Sequence, residues 1–232
     1  MAEQPPIKRI RWNQAWRIVP SRFPPVGVFD RIADPADLDA VFAIEALTNP
    51  RLRDELGALR MVPKERRISG PGTTPVMAAF THLNPDGSRF SDGSWGVFYA
   101  AHSIATAVEE TVFHRQQFLV ATAEPPCDVS MRCYRTGIQG KLHDLRGGWA
   151  AEHDPDSYAA SVALARRLRR EGSNGIVYDS ARHPGGECVA LFYPDLAAPC
   201  VQGAHYLYRW DGKKIAVVLE VSAIKRMPGA AD

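Results

Sequence analysis

The chain has 232 residues, of which 45% are hydrophobic and 23% charged, and its formal net charge is +2. That length and apolar content suit one globular domain able to bury a core without disulfide or metal staples. So slight a charge gives no argument for nucleic-acid binding from bulk electrostatics.

Residues 1–15 read as a polar, partly basic arm with no apolar stretch of the kind a secretion signal carries. "WRIVPSRF" at 16–23 reads as a short strand entering a Pro-rich turn. "ADPADLDAVFAIEAL" at 33–47 reads as a helix, with Asp34 as cap and Pro35 in the first turn. "TNP" ends it, because the residue before a proline resists helical geometry. "RLRDELGALR" (51–60) suggests a further short helix, and the Gly and Pro of "ISGPGTTP" (68–75) a loop. "VMAAFTHL" (76–83) is strand-like, with turn chemistry after it in "NPDGS".

"WGVFYAA" (95–101) predicts a buried strand. Ser103 then offers a helix cap, and "IATAVEETVFHR" continues at helical period with Ile104, Val108 and Val112 on one face. "SYAASVALARRLRREG" (157–172) predicts a second helix, closed by Gly172. "GIVYDS" (175–180) and "ECVALFY" (187–193) read as strands, and 205–221 as a β-hairpin around Asp211-Gly212. Many short strands with a few interspersed helices predict a single α+β domain with a mixed, largely antiparallel sheet and flanking helices.

Several chemistries find no motif. Cys127, Cys133, Cys188 and Cys200 form no C-x-x-C pair and read as reduced, buried thiols of a cytoplasmic protein. "SGPGTT" (69–74) lacks the spacing and lysine of a phosphate loop. No serine-hydrolase elbow and no H-E-x-x-H pair occurs. "RRLRR" (166–170) reads as a solvated helix face that complements the helix dipole.

"RFSDGSWGVFYAAHSIATAVEETVFH" (89–114) holds Arg89, Tyr99, Glu109, Glu110 and His114 in one turn–strand–helix unit. Taken singly, each of these residues fits a surface or a core. Their order resembles the RES domain family, named for an Arg, a Glu and a Ser in chain order. The third block, "GIVYDSARHPGGECVALFYPD" (175–195), is similar to that family's Gly-x-x-Tyr-x-Ser-x-Arg element and places the serine at Ser180. "WRIVPSRFPP" resembles its N-terminal Arg-aromatic element, best matched by Arg22-Phe23, with Arg17 as the other candidate. Residues 16–232 would then form the domain, with 33–75 as an elaboration. Two departures stand out: Ser88-Arg89-Phe90-Ser91 replaces the frequent Gly-Arg-Trp-Asn, and Glu109 adjoins Glu110. Spacing from Tyr99 and His114 selects Glu110, whereas the helical wheel does not decide.

The resemblance implies an ADP-ribosyltransferase-like fold and a bacterial toxin that acts on NAD+ as substrate. Arg22 and Arg89 would clamp the pyrophosphate, since a guanidinium fork binds phosphate bidentately. Tyr99 would face the nicotinamide, and Ser180 would donate to ribose, phosphate or amide. Glu110 would stabilise the oxocarbenium-like centre, with Arg89 and Ser180 completing the catalytic set. Whether ADP-ribose passes to a protein target, to phosphate or to water stays open. It also implies a cognate Xre-type antitoxin that forms a hetero-oligomer and blocks the NAD+ pocket, with no membrane or direct nucleic-acid contact by this chain. The rival readings are an RNA-targeting toxin that works without NAD+ and a catalytically silent interaction module.

Overall fold

A computed structural model of the chain describes residues 4–21, 29–31, 34, 35, 38 and 59–221. Arg22 and most of the helices expected over 33–47 and 51–60 lie outside the described residues. Residues Ile7–Pro20 form one long strand, β1. The arm expected over 1–15 is therefore corrected: from Ile7 onward it is sheet. β1 pairs antiparallel with β3 (Cys127–Asp144), and a bulge between Trp12 and Ala15 shifts the register by one residue. A bulge changes which face the later side chains meet. Ile10 and Trp12 thus join one hydrophobic cluster, whereas Ile18, also even-numbered, joins the other. This break in alternation hides the first half of β1 from a period-2 reading.

The remaining strands are β2 (Phe98–Ala101), β4 (Gly175–Asp179), β5 (Glu187–Leu191), β6 (Val201–Trp210) and β7 (Ile215–Val221). They lie in the order β1-β2-β5-β4-β3-β6-β7, and β1 pairs with β3 as well. Five strands therefore close on themselves, while β6 and β7 extend from β3. Only the β3–β4 pair is parallel, so the sheet is mixed and largely antiparallel, as expected from the sequence.

Helices cover both faces. Residues Thr74–Thr81 form α1, which buries Val76, Met77 and Phe80 in the first cluster. This corrects the strand expected at 76–83. A short apolar run has no decisive period, and Pro75 at the helix start together with two alanines favours helix. On the other face lie α2 (Ile104–Ala121) and α3 (Ala159–Arg170), with Ala107, Leu164, Ala165 and Leu168 in the second cluster. β4 and β5 are covered on both sides. Val177, Val189 and Leu191 meet the first cluster, and Ile176, Tyr178, Cys188 and Ala190 the second. No helix among the described residues is long and apolar enough to cross a membrane.

β3 has no counterpart among the elements expected from sequence. Its polar and charged residues disguise a strand that buries Met131, Cys133, Ile138 and Leu142. The expected C-terminal hairpin is present, but its turn takes four residues. Asp211 donates its N–H to the Lys214 carbonyl (3.0 Å), and its carboxylate accepts the N–H groups of Lys213 and Lys214.

At the β3–β4 junction, the Asp144 carboxylate is only 3% exposed. Its Oδ1 accepts from Arg146 Nε (2.8 Å) and Arg146 N–H (3.0 Å), and Lys8 Nζ lies 2.8 Å from Oδ2. Hydrogen bonds from Arg146, then from Lys8, hold its carboxyl well below the usual carboxylate range. Its folded-state pKa is thus below its unfolded value. The stabilisation is fully present above about pH 4 and is lost as pH falls through the folded value. Thermal melts between pH 6 and pH 2 are expected to show the midpoint falling below about pH 4. In Asp144→Asn this acid dependence is expected to be shallower and the neutral-pH midpoint lower.

Candidate functional site

α2 begins at Ser103, whose hydroxyl accepts the Thr106 N–H at 3.1 Å and caps the first turn. That start sets the rotation of the helix, leaving Glu109 exposed and Glu110 half-buried. Ser180 follows directly on β4 and donates its hydroxyl proton to Glu110 Oε1 at 2.5 Å. Ser180 Oγ in turn accepts the N–H groups of Arg182 (3.2 Å) and His183 (3.0 Å). Ser180 N–H donates to the Gly186 carbonyl at 2.7 Å, so residues 180–186 wrap around the serine. This turn docks on α2 through the Thr106 hydroxyl and His183 Nδ1, 2.9 Å apart. Gly186 sits where a Cβ would lie 2.5 Å from Thr106 Oγ1, so only glycine fits there without a shift. The single proton of Ser180 is thereby committed to Glu110, and Ser180 orients the carboxylate.

Arg89 lies in a tight turn closed by two backbone hydrogen bonds between Ser88 and Ser91. The Tyr99 hydroxyl reaches this turn from β2, 2.8 Å from Ser88 Oγ, and accepts the Phe90 N–H at 3.0 Å. Burial pushes the Tyr99 phenol up to about 12. Its oxygen is engaged in holding the turn. Arg89 is only 7% exposed. Its Nη1 donates to the carbonyls of Glu152 (3.0 Å) and Asp154 (2.9 Å), and its Cζ stacks 4.7 Å from the Tyr158 ring.

The basic run of α3 also serves this turn. Arg166 pairs with Asp92 at 2.6 Å, and Arg169 stacks on Trp95. Two arginines read as plain solvated surface therefore brace the loop that carries Arg89.

Residues 147–158 form a strap between β3 and α3. Trp149 holds the left-handed conformation at φ 60°, which is costly for a bulky residue. Its carbonyl accepts from Glu152 N–H (3.0 Å) and His153 N–H (3.1 Å). Asp179 N–H donates to His153 Nε2 at 3.2 Å, which ties the strap to the end of β4. Arg182 Nη2 donates to the Pro155 carbonyl. Its guanidinium lies 3.3 Å from the centre of the Phe113 ring, one turn beyond Glu110.

These groups share one neighbourhood. The charges of Glu110 and Arg89 both act on Tyr178 and Cys188, whose ionisations burial already pushes up. His114 is exposed, yet desolvation by the surrounding protein, then repulsion from Arg182, Arg89 and Arg115, hold its ring down to about 4. The half-buried arginines of the ion pairs Arg66–Asp195 and Arg146–Asp144 are compensated by carboxylates. Among the described residues Arg89 and Arg182 have none, and the Arg182 backbone is tied through Ser180 Oγ to Glu110.

The structure thus places Glu110 against Ser180, and Tyr99 against the Arg89 turn. Arg22 lies outside the described residues. Arg17 sits on the opposite face of the sheet, donating to the Tyr99 carbonyl (3.0 Å) and stacking on Phe98 of the first cluster. Burial lowers the pKa of its guanidinium. Arg182 and the strap carbonyls escaped the sequence reading. The signal for Arg182 was its match to the arginine of the Gly-x-x-Tyr-x-Ser-x-Arg element.

Residues 64–211 match the family model for the RES domain. Uncharacterized protein y4oC of Sinorhizobium fredii is 32% identical over 213 residues, covering 89% of this chain and 86% of that protein. The crystal structure of the M. tuberculosis MbcT–MbcA toxin–antitoxin complex includes a chain that is 11% identical, with a TM-score of 0.44. That match covers 92% of this chain and 87% of the other.

Proposed function

The chain belongs to the RES domain family, and from that premise we propose that it is the NAD+-consuming toxin of a toxin–antitoxin pair. The observation that carries this reading is the Ser180–Glu110 hydrogen bond beside guanidiniums that have no carboxylate partner among the described residues. Such a site combines one oriented anion with uncompensated positive charge. NAD+ offers the matching features: a diphosphate for a guanidinium and a C1′ centre that becomes cationic as its bond to nicotinamide breaks.

In the proposed step the C1′–N bond breaks and its electron pair goes to the pyridinium nitrogen, releasing neutral nicotinamide. An acceptor oxygen or nitrogen forms the new bond to C1′ and loses a proton. Glu110 stabilises the oxocarbenium-like centre or takes that proton. Ser180 holds Glu110 in place, and Tyr99 holds Arg89. The acceptor is a protein side chain, phosphate or water, and product analysis by mass distinguishes the three. A cognate Xre-type antitoxin, blocking the pocket in the cytoplasm, completes the proposal.

Purified protein is expected to release nicotinamide from NAD+, and this activity is expected to depend on Glu110. NAD+ left intact by the wild-type protein, in buffer with phosphate and in cell extract, would sink the reading.

A further inference from the structure

We propose that Arg182 is the anion-binding residue of this site, its guanidinium taking the diphosphate of the substrate while Arg89 acts as a positioning residue. The inference rests on the proposed NAD+ chemistry for the identity of the substrate, but its anion chemistry stands on geometry alone.

Three arginines are candidates, Arg17 and Arg89 from the sequence and Arg182 from its place beside Ser180, and none of them has a carboxylate partner among the described residues. Arg17 is ruled out by position, since it stacks on Phe98 across the sheet from Glu110 and Ser180. Arg89 is ruled out by commitment. It is buried, one terminal nitrogen serves two carbonyls of the strap, and its plane rests on Tyr158. To reach a ligand it would have to give up the contacts that hold residues 152–154.

Arg182 differs on each count. It is half-buried, so part of its surface already meets solvent. Its backbone N–H donates to Ser180 Oγ at 3.2 Å, so its side chain starts from the turn that orients Glu110. Its guanidinium rests on a neutral ring and one neutral carbonyl, Phe113 and Pro155. Neither compensates a full charge. A diphosphate oxygen is a far stronger acceptor than a peptide carbonyl, and a guanidinium fork binds it with two parallel hydrogen bonds. Exchange of the Pro155 carbonyl for phosphate is therefore favourable, and it moves no core residue. Phe113 keeps the guanidinium plane fixed as a platform.

The test uses inorganic pyrophosphate as probe, followed by calorimetry, with NAD+ and nicotinamide riboside as further ligands. Wild-type protein is expected to bind pyrophosphate, Arg182→Gln to bind it about 10-fold or more weakly, and Arg182→Lys to recover part of the loss. Nicotinamide riboside, which lacks the diphosphate, is expected to bind wild type and Arg182→Gln alike. Arg170→Gln, at an exposed arginine of α3, is expected to leave all binding unchanged. No pyrophosphate binding by the wild type would overturn the inference. So would equal weakening of nicotinamide riboside and NAD+ in Arg182→Gln, which marks a structural role. If the Gln variant does not fold, Arg182→Lys carries the same comparison. Pyrophosphate binding that depends on Arg182, in a protein that leaves NAD+ intact, upholds the anion site and removes the NAD+ reading instead.

Discussion

Glu110→Gln is expected to reduce nicotinamide release from NAD+ by about 10²–10⁴-fold while leaving the melting temperature near that of the wild type. The variant is chosen for what it keeps. The Gln amide oxygen still accepts the Ser180 hydroxyl, now at 2.5 Å from Glu110 Oε1, so the turn at 180–186 retains its link to α2. Only the negative charge is lost, and that charge is what a cationic centre at C1′ requires. Glu109→Gln is the control, because Glu109 is exposed on the neighbouring helical position. Ser180→Ala is expected to lie between the two, since Glu110 keeps its charge but loses the donor that orients it. An unchanged rate in Glu110→Gln would remove the carboxylate from the mechanism. A large fall in melting temperature would make its role structural.

Arg89→Ala is expected to act first on stability. It removes two hydrogen bonds from a buried cation to the carbonyls of Glu152 and Asp154, and the stacking on Tyr158. The cost is about 2–4 kcal/mol. For a domain of this size that corresponds to a fall in melting temperature of roughly 4–16 °C. Arg89→Lys keeps the charge but not the planar fork, so it is expected to recover only part of the loss. If Arg89 instead contacts the ligand directly, the alanine variant will lose NAD+ affinity with little change in melting temperature. Calorimetric melts and NAD+ titrations on the same samples separate the two outcomes.

Local signals made α2 and α3 readable in advance. Ser103 and Gly172 mark an N-terminal cap and a C-terminal stop, and apolar residues recur at helical spacing between them. β4 and β5 were equally plain, because strands covered on both faces read as unbroken apolar runs. β3 and the first half of β1 were not, since their charged residues and the bulge at Trp12–Ala15 mask alternation. α1 misled because every strong strand cue in "VMAAFT" is also a burial cue. The order of Arg89, Glu110 and Ser180 along the chain was visible, as was the preference for Glu110 over Glu109. What no local pattern carries is the partner of each polar atom. Arg89 meets carbonyls 63 and 65 residues away, and Ser180 meets a carboxylate 70 residues before it. Such pairings exist only once the sheet has closed.

The strap gives the protein a built-in optical reporter. Trp12, Trp95 and Trp210 are buried among core residues, whereas Trp149 is half-buried in the segment whose Pro155 carbonyl Arg182 holds. A ligand that takes Arg182 from that carbonyl alters the indole's surroundings while leaving the three buried tryptophans in place. Pyrophosphate is therefore expected to change the tryptophan emission of the wild-type protein, and Trp149→Phe to abolish most of that change. An unchanged spectrum at saturating pyrophosphate would mean that the strap stays in place when the anion binds.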